Sequence, residues 1–129
     1  MKTDRTYADI HLDRIEENMK AVASMVTPGT KIMGIVKADG YGHGAAAVSK
    51  TIDAFVSSYG VATADEAVML RRHGIKKGIL VLGPAAKERY RELAELDIRP
   101  SISRFEEAQA FSQAALEAKK QAKVHIAVD

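Results

Sequence analysis

The chain has 129 residues, of which 47% are hydrophobic and 28% charged, and its 19 basic residues nearly balance its 17 acidic ones. This composition predicts a single soluble globular domain, long enough to bury a sizeable core. The absence of cysteine excludes a disulfide framework and a thiolate metal site. No basic cluster, membrane-length apolar run or signal-peptide pattern is found, so we expect a cytoplasmic protein without nucleic-acid or membrane partners.

Five short apolar runs predict β-strands at regular intervals along the chain. The third run is apolar on both faces, as a buried parallel strand is. The runs are Ile32–Val36, Tyr59–Ala62, Ile79–Leu82, Ile98–Ile102 and Val124–Val128. The opening segment Tyr7–Leu12 also alternates like a half-buried strand, although it has no place in the repeat that follows.

Helical patterns fill the intervals between these runs. Apolar residues recur at helical spacing between positions 12 and 26, 45 and 55, and 108 and 118. Three capping boxes predict helix starts: Asp13 with Glu16, Thr63 with Glu66, and Ser103 with Glu106. Gly74 is expected to end the helix that begins after Thr63.

The alternation of strand, short loop and helix predicts a parallel α/β fold with right-handed crossovers. Periodicity alone leaves two architectures open: a doubly wound open sheet, or part of a (β/α)8 barrel of TIM type. A complete barrel needs about 250 residues. Five strand–helix units would therefore be roughly the first half of a barrel, and the stop at Asp129, directly after a strand, favours a truncated one.

A lone lysine, Lys37, closes the first apolar run, and the glycine-rich segment Gly40–Gly44 follows at once. A lysine held out of water loses its proton more readily and can attack carbonyl groups, including the aldehyde of pyridoxal phosphate. The loop offers backbone N–H groups to an anion such as a phosphate. The alternative is a lysine that reaches solvent beside ordinary turn glycines.

The nine residues from Val36 to Gly44, VKADGYGHG, resemble the cofactor-lysine signature of alanine racemases, which are pyridoxal-phosphate enzymes of fold type III. The usual signature differs only in having alanine where this chain has Gly40. The resemblance implies that residues 1–129 are the N-terminal part of a pyridoxal-phosphate-binding (β/α)8 barrel, without its C-terminal half and the family's β-domain. The Tyr7–Leu12 strand, which joins that β-domain in the family, is then expected to be unpaired, disordered or borrowed by a neighbouring molecule.

The resemblance also assigns roles to individual residues. Lys37 would form an imine with pyridoxal 5'-phosphate and act as one of two acid/base groups, so it is the expected catalytic residue. Tyr41 would bind the cofactor phosphate, and Leu82 would lie near the cofactor ring. We expect Asp39 to organise the loop and His43 to make a local hydrogen bond.

The implied activity is racemisation of L-alanine to D-alanine, which supplies D-alanine for cell-wall peptidoglycan, in a homodimeric parent enzyme. The family's second catalytic base, a tyrosine, comes from later in the chain and from the partner subunit. We therefore expect the 129-residue chain alone to be inactive or nearly so. A lysine that many members carry near the end of the fifth strand, where it is carbamylated, is matched here by Ala127.

Other interpretations remain open at this point. The parent enzyme could act on serine or a larger amino acid, the chain could be a non-catalytic pyridoxal-phosphate-binding barrel, or it could be an interaction fragment that binds no cofactor. His11, His73 and His125 lack the spacing of a shared metal site and are expected to be structural. Lys76 and Lys77 are expected to lie in solvent at a helix end.

Overall fold

The computed structural model describes residues 6–128, which form a parallel sheet covered by helices. The strands are β1 (Met33–Ile35), β2 (Ser58–Val61), β3 (Gly78–Val81), β4 (Ile98–Ile102) and β5 (His125–Ile126). The helices are α1 (Leu12–Met25), α2 (Ala45–Ile52), α3 (Ala64–Arg72), α4 (Tyr90–Glu95) and α5 (Phe105–Glu117). A short helical segment, Lys37–Tyr41, follows β1, and a 3₁₀ turn, Lys87–Arg89, precedes α4. All five strands lie within two residues of their predicted bounds.

The strands are arranged in the order in which they occur along the chain. Each is parallel to its predecessor, in the order β1-β2-β3-β4-β5. A doubly wound open sheet reverses its strand order at a switch point, whereas the wall of a barrel does not. The topology therefore confirms the parallel α/β fold and distinguishes the barrel type from the doubly wound alternative.

The helices cover one face of the sheet and form the core with it. In register across the strands, Tyr59, Ile79 and Ile98 share this face and are no more than 1% exposed. From the helices, Leu93 and Phe111 pack against the same layer, and the Phe111 ring meets Tyr90 edge-on at 5.4 Å between centroids. The opposite face is more open, with Ile35 39% and Leu82 42% exposed.

Two helix starts differ from the sequence prediction. The backbone of His11 is extended and forms the N-cap of α1 with no side-chain hydrogen bond, so Asp13 lies inside the first turn and does not cap it. The extended backbone after β4 continues through Arg104, which makes Glu107 the third residue of α5 in place of the predicted Glu106. The predicted box of Thr63 and Glu66 is confirmed.

Residues 6–11 belong to neither a helix nor a strand, and α1 begins at Leu12. The predicted strand Tyr7–Leu12 is therefore not found among the described residues. Gly74 follows α3 with φ of +88° and its N–H donates to the carbonyl of Arg71, as expected of a residue that ends a helix.

The edge where the strands begin is held together by two cations that bind main-chain carbonyls. The guanidinium of Arg71 donates to the carbonyls of Ile75 and Lys77, both at 2.7 Å. It also donates to the carbonyls of Leu96 and Asp97, at 2.8 and 2.9 Å, so it joins the loops before β3 and β4.

Lys77 is the second cation at this edge, and the prediction that it lies in solvent at a helix end is wrong. It follows a loop and not a helix, and its amine donates to the carbonyls of Asp53 and Val56, just after α2. The Asp53 carboxylate lies 3.6 Å from the same amine. Lys76 is exposed, as predicted.

Candidate cofactor site at the carboxyl edge of the sheet

Lys37 stands where β1 stops pairing with β2. The N–H of Val36 donates to the carbonyl of Gly60 at 2.9 Å, which is the last main-chain bond between these strands. The carbonyl of Val36 then accepts the N–H of Gly40, so the chain curls away from the sheet. Lys37 is half-buried, and its amine has no hydrogen bond or ion pair with any residue in the range 6–128. No described residue therefore competes for this amine.

The segment that follows Lys37 is a left-handed turn. Ala38, Asp39 and Gly40 have φ between +50° and +62° and ψ between +39° and +49°, and Tyr41 and Gly42 also have positive φ. Each non-glycine residue in this conformation costs roughly 1–2 kcal/mol. Such strain is found mainly at functional sites, where the surrounding structure holds it in place.

Two carboxylates hold the turn at its ends. Glu66, from α3, accepts the N–H of Ala38 at 2.8 Å. Asp39 accepts the N–H of Ala45, the first residue of α2, at 2.8 Å, so its predicted role in organising the loop is confirmed. The sequence predicted Glu66 only as a helix cap, because its contact with Ala38 spans 28 positions and no local pattern announces it.

Gly40, the departure from the family signature, suits this tight turn. Its φ is +62°, and a Cβ atom at this position would lie 3.2 Å from the nitrogen and 3.3 Å from the Cα of Ala45. A side chain there would press on the first turn of α2, and glycine avoids that contact.

The structure places the other predicted site residues at the same edge. Tyr41 lies in the left-handed turn and is 59% exposed, and His43 Nδ1 lies 3.1 and 3.0 Å from the carbonyl oxygens of Gly40 and Tyr41, which is the predicted local hydrogen bond. Leu82 directly follows β3. A Cβ on Gly60 would lie 2.6 Å from Ile35 Cδ1 and 3.5 Å from Leu82 Cδ1, so both side chains lie close to Gly60 on the open face.

These features describe a half-buried amine at the carboxyl edge of a parallel sheet, beside exposed aromatic and aliphatic side chains. The carboxyl ends of the strands are where barrel enzymes bind their substrates. Between residues 6 and 128, no group of three or more His, Cys, Asp or Glu side chains could hold a metal ion. Over the same range, no helix has the length and apolar character needed to cross a membrane.

Comparisons with known proteins identify a family and several relatives. The model of the family "Alanine racemase, N-terminal domain" matches residues 10–129. An alanine racemase from Desulfosudis oleivorans is 40% identical over 124 residues, which are 95% of this chain and 32% of the relative.

Solved structures agree with this result. Alanine racemase from Clostridium difficile 630 in complex with cycloserine superposes with a TM-score of 0.94 at 32% identity, covering 100% of this chain and 35% of that one. Alanine racemase from Bacillus anthracis with bound L-Ala-P gives a TM-score of 0.82 at 30% identity, covering 95% and 33%. The chain spans about a third of the length of these relatives.

Proposed function

The chain belongs to the alanine racemase N-terminal domain family, and we propose that it supplies the cofactor lysine, Lys37, of a pyridoxal-phosphate-dependent enzyme that interconverts L- and D-alanine. The observation that carries this proposal is the unpaired, half-buried amine of Lys37 on a clamped left-handed turn at the carboxyl edge of the sheet. Supply of D-alanine to the cell wall, a homodimeric enzyme and a cytoplasmic location belong to the same proposal and rest on the family alone.

The residues present fit pyridoxal 5'-phosphate. Lys37 offers a primary amine with no competing partner among the described residues, and an amine is what binding the cofactor's aldehyde carbon requires. Tyr41 is exposed beside it and would hold the phosphate, while Leu82 would lie along the ring. When bound, the cofactor withdraws electrons from the substrate Cα and so makes its proton removable.

The role of Lys37 in the reaction is to hold and move a proton at Nζ, on one face of the substrate Cα. Racemisation needs a second acid/base group on the opposite face. Of the titratable side chains around the Lys37 turn, Glu66 and Asp39 accept main-chain N–H groups and His43 contacts main-chain carbonyls, and Tyr41 has its proposed role at the cofactor phosphate. We therefore propose that the 129-residue chain alone does not racemise alanine.

The test is an absorbance spectrum of the chain with added pyridoxal phosphate, followed by borohydride reduction and peptide mapping. We expect the absorbance of a lysine-bound cofactor and a reduced adduct on Lys37, and we expect Lys37→Ala to lose both. Lys31→Ala, a change at an exposed lysine, is the matched control and should keep both. An adduct spread evenly over surface lysines would contradict the assignment.

A parallel assay addresses the activity of the chain itself. Incubation with L-alanine and pyridoxal phosphate, followed by chiral chromatography, should yield no D-alanine. Turnover that disappears in Lys37→Ala would overturn the proposal that a second base is missing from this chain.

A further inference from the structure

Glu66 lies at the junction of three segments of the chain. It is the third residue of α3, and its Oε2 atom accepts the N–H groups of Ala62 and Thr63, at 2.7 and 3.2 Å. Its Oε1 atom accepts the N–H of Ala38, at 2.8 Å, from the preceding strand–helix unit. One carboxylate therefore joins the end of β2, the start of α3 and the turn after β1.

This arrangement does more than cap a helix, as a comparison with Glu107 makes plain. Glu107 is the third residue of α5, and it accepts the N–H groups of Ser103 and Arg104 at 3.0 and 3.2 Å. All its hydrogen bonds lie within four positions of itself. Glu66 makes the same local contacts, but it also binds Ala38, 28 positions away.

The contact is needed because the β1–β2 ladder ends at Val36. In a continued parallel ladder, the carbonyl of Val36 would accept the N–H of Ala62. The carbonyl of Val36 instead accepts the N–H of Gly40, which leaves the N–H groups of Ala38 and Ala62 to find other partners. The two oxygen atoms of Glu66 take both of these N–H groups.

We propose that Glu66 is a positioning residue for Lys37, an inference that rests on the proposed role of Lys37 as the cofactor lysine. The N–H of Ala38 belongs to the peptide group that joins Lys37 to Ala38. Fixing that peptide fixes the backbone of Lys37 and the direction in which its side chain leaves the sheet. The same bond holds the first residue of the strained left-handed turn in place.

The test compares Glu66→Gln with Glu107→Gln, the same change at the same helix position without a bond to the lysine turn. Glutamine has an NH2 group, which cannot accept, in place of one carboxylate oxygen. We expect its single oxygen to face Ala62 and Thr63, which together supply two N–H groups, so that the N–H of Ala38 loses its acceptor. With pyridoxal phosphate as the probe, we expect borohydride-trapped labelling of Lys37 to slow about tenfold or more in Glu66→Gln, because a small misplacement of a reacting group is costly. Glu107→Gln should stay within about twofold of the wild type, since it leaves the turn untouched.

A second measurement needs no cofactor. Hydrogen exchange at the Ala38 amide should become faster in Glu66→Gln and remain unchanged in Glu107→Gln, because only the first loses the acceptor of that amide. Unchanged exchange at Ala38 in folded Glu66→Gln would overturn the inference.

Two further variants separate positioning from helix stability. Thr63→Ala removes the other half of the capping box and keeps the bond from Ala38 to Glu66. If it slowed labelling as much as Glu66→Gln, the effect would come from the helix and the inference would be overturned. If Glu66→Gln failed to fold, Glu66→Asp would replace it: its carboxylate still caps α3 but is one methylene shorter, so labelling at the wild-type rate would count against the inference.

The outcomes also separate the two proposals. A wild-type chain labelled at Lys37, with Glu66→Gln labelled equally fast, would overturn the positioning role alone. A folded wild-type chain that takes no label at Lys37 would overturn both.

Discussion

The amino edge of the sheet, where the strands begin, and the carboxyl edge, where they end, bind side chains of opposite charge. Where the strands begin, the cations Arg71 and Lys77 donate to main-chain carbonyls. Where the strands end, the carboxylates of Asp39, Glu66 and Glu107 accept main-chain N–H groups.

The difference follows from the direction of the chain. In a parallel α/β fold the helices run against the strands, so their unpaired carbonyls gather at the amino edge and their unpaired N–H groups at the carboxyl edge. Cations therefore bind at the amino edge, where carbonyls lack donors, and carboxylates bind at the carboxyl edge, where N–H groups lack acceptors. The cations join loops and contribute stability, while two of the carboxylates, Asp39 and Glu66, shape the turn that carries Lys37. Substitution of the cations should therefore lower stability, whereas substitution of Asp39 or Glu66 should change the reactivity of Lys37.

Arg71→Met should produce the largest loss of stability. It removes the guanidinium that donates to the carbonyls of Ile75, Lys77, Leu96 and Asp97, and we expect the free energy of unfolding to fall by about 2–4 kcal/mol. Urea denaturation followed by circular dichroism measures the loss. Arg72→Met, at the exposed neighbouring position, should cost less than about 0.5 kcal/mol. Equal losses in both variants would show that these carbonyl contacts contribute nothing.

Lys77→Met should have an intermediate effect. The methionine keeps the apolar stem but leaves the carbonyls of Asp53 and Val56 without their donor, at an expected cost of about 1–2 kcal/mol. Lys76→Met is the matched control, and its unfolding midpoint should match that of the wild type. Slower labelling of Lys37 in folded Lys77→Met would contradict the separation of the two edges.

Glu107→Gln should have the smallest effect, and the effect should depend on pH. The N–H of Ser103, which donates to the carboxylate, is the main cause that lowers the pKa of Glu107 below its ordinary value of 4.5, and Arg104 adds to it. A lowered pKa means that the ionised form is favoured in the folded chain, so its contribution is present above pH 4.5 and is lost as the pH falls further. The wild type should exceed Glu107→Gln in stability at pH 7, and the gap should narrow towards pH 3.

Urea titrations at both pH values would measure this gap. Glu106→Gln, one position earlier and exposed, serves as the control and should show no such change with pH. A gap that widened on acidification would mean that the carboxylate does not act as a charged acceptor.

The strands could be predicted from the sequence because short apolar, β-branched runs in a protein of this composition usually form buried strands. The parallel repeat followed from their alternation with helical patterns, while the sequential strand order needed the structure. The site was predictable only in part. Lys37, Tyr41 and Leu82 came from a nine-residue resemblance and from matched positions, and their roles remain predictions.

Errors arose where a residue's partner is distant in sequence or where a boundary moved by one position. Lys77 looks like a solvated lysine until α2 is brought beside it. From the sequence alone, Glu106 and Glu107 could each occupy the third position of α5. The extended backbone continues through Arg104, and this places Glu107 there. The glycines of this segment predict a loop, but the left-handed conformation of Ala38 could not be predicted, because alanine does not favour it.

The sequential order of the strands also determines the order in which they can pair while the chain is being synthesised. Met33 pairs with Ser58 and Ile79 with Ile98, so partners in neighbouring strands are 19 to 25 positions apart. Each unit can join its predecessor as the chain leaves the ribosome, which keeps loop closure short. The turn beside Lys37 must wait for Glu66, 28 residues after Ala38. In a nascent chain, Lys37 is therefore synthesised before Glu66, and the turn beside Lys37 can be fixed only after the next strand–helix unit has been made.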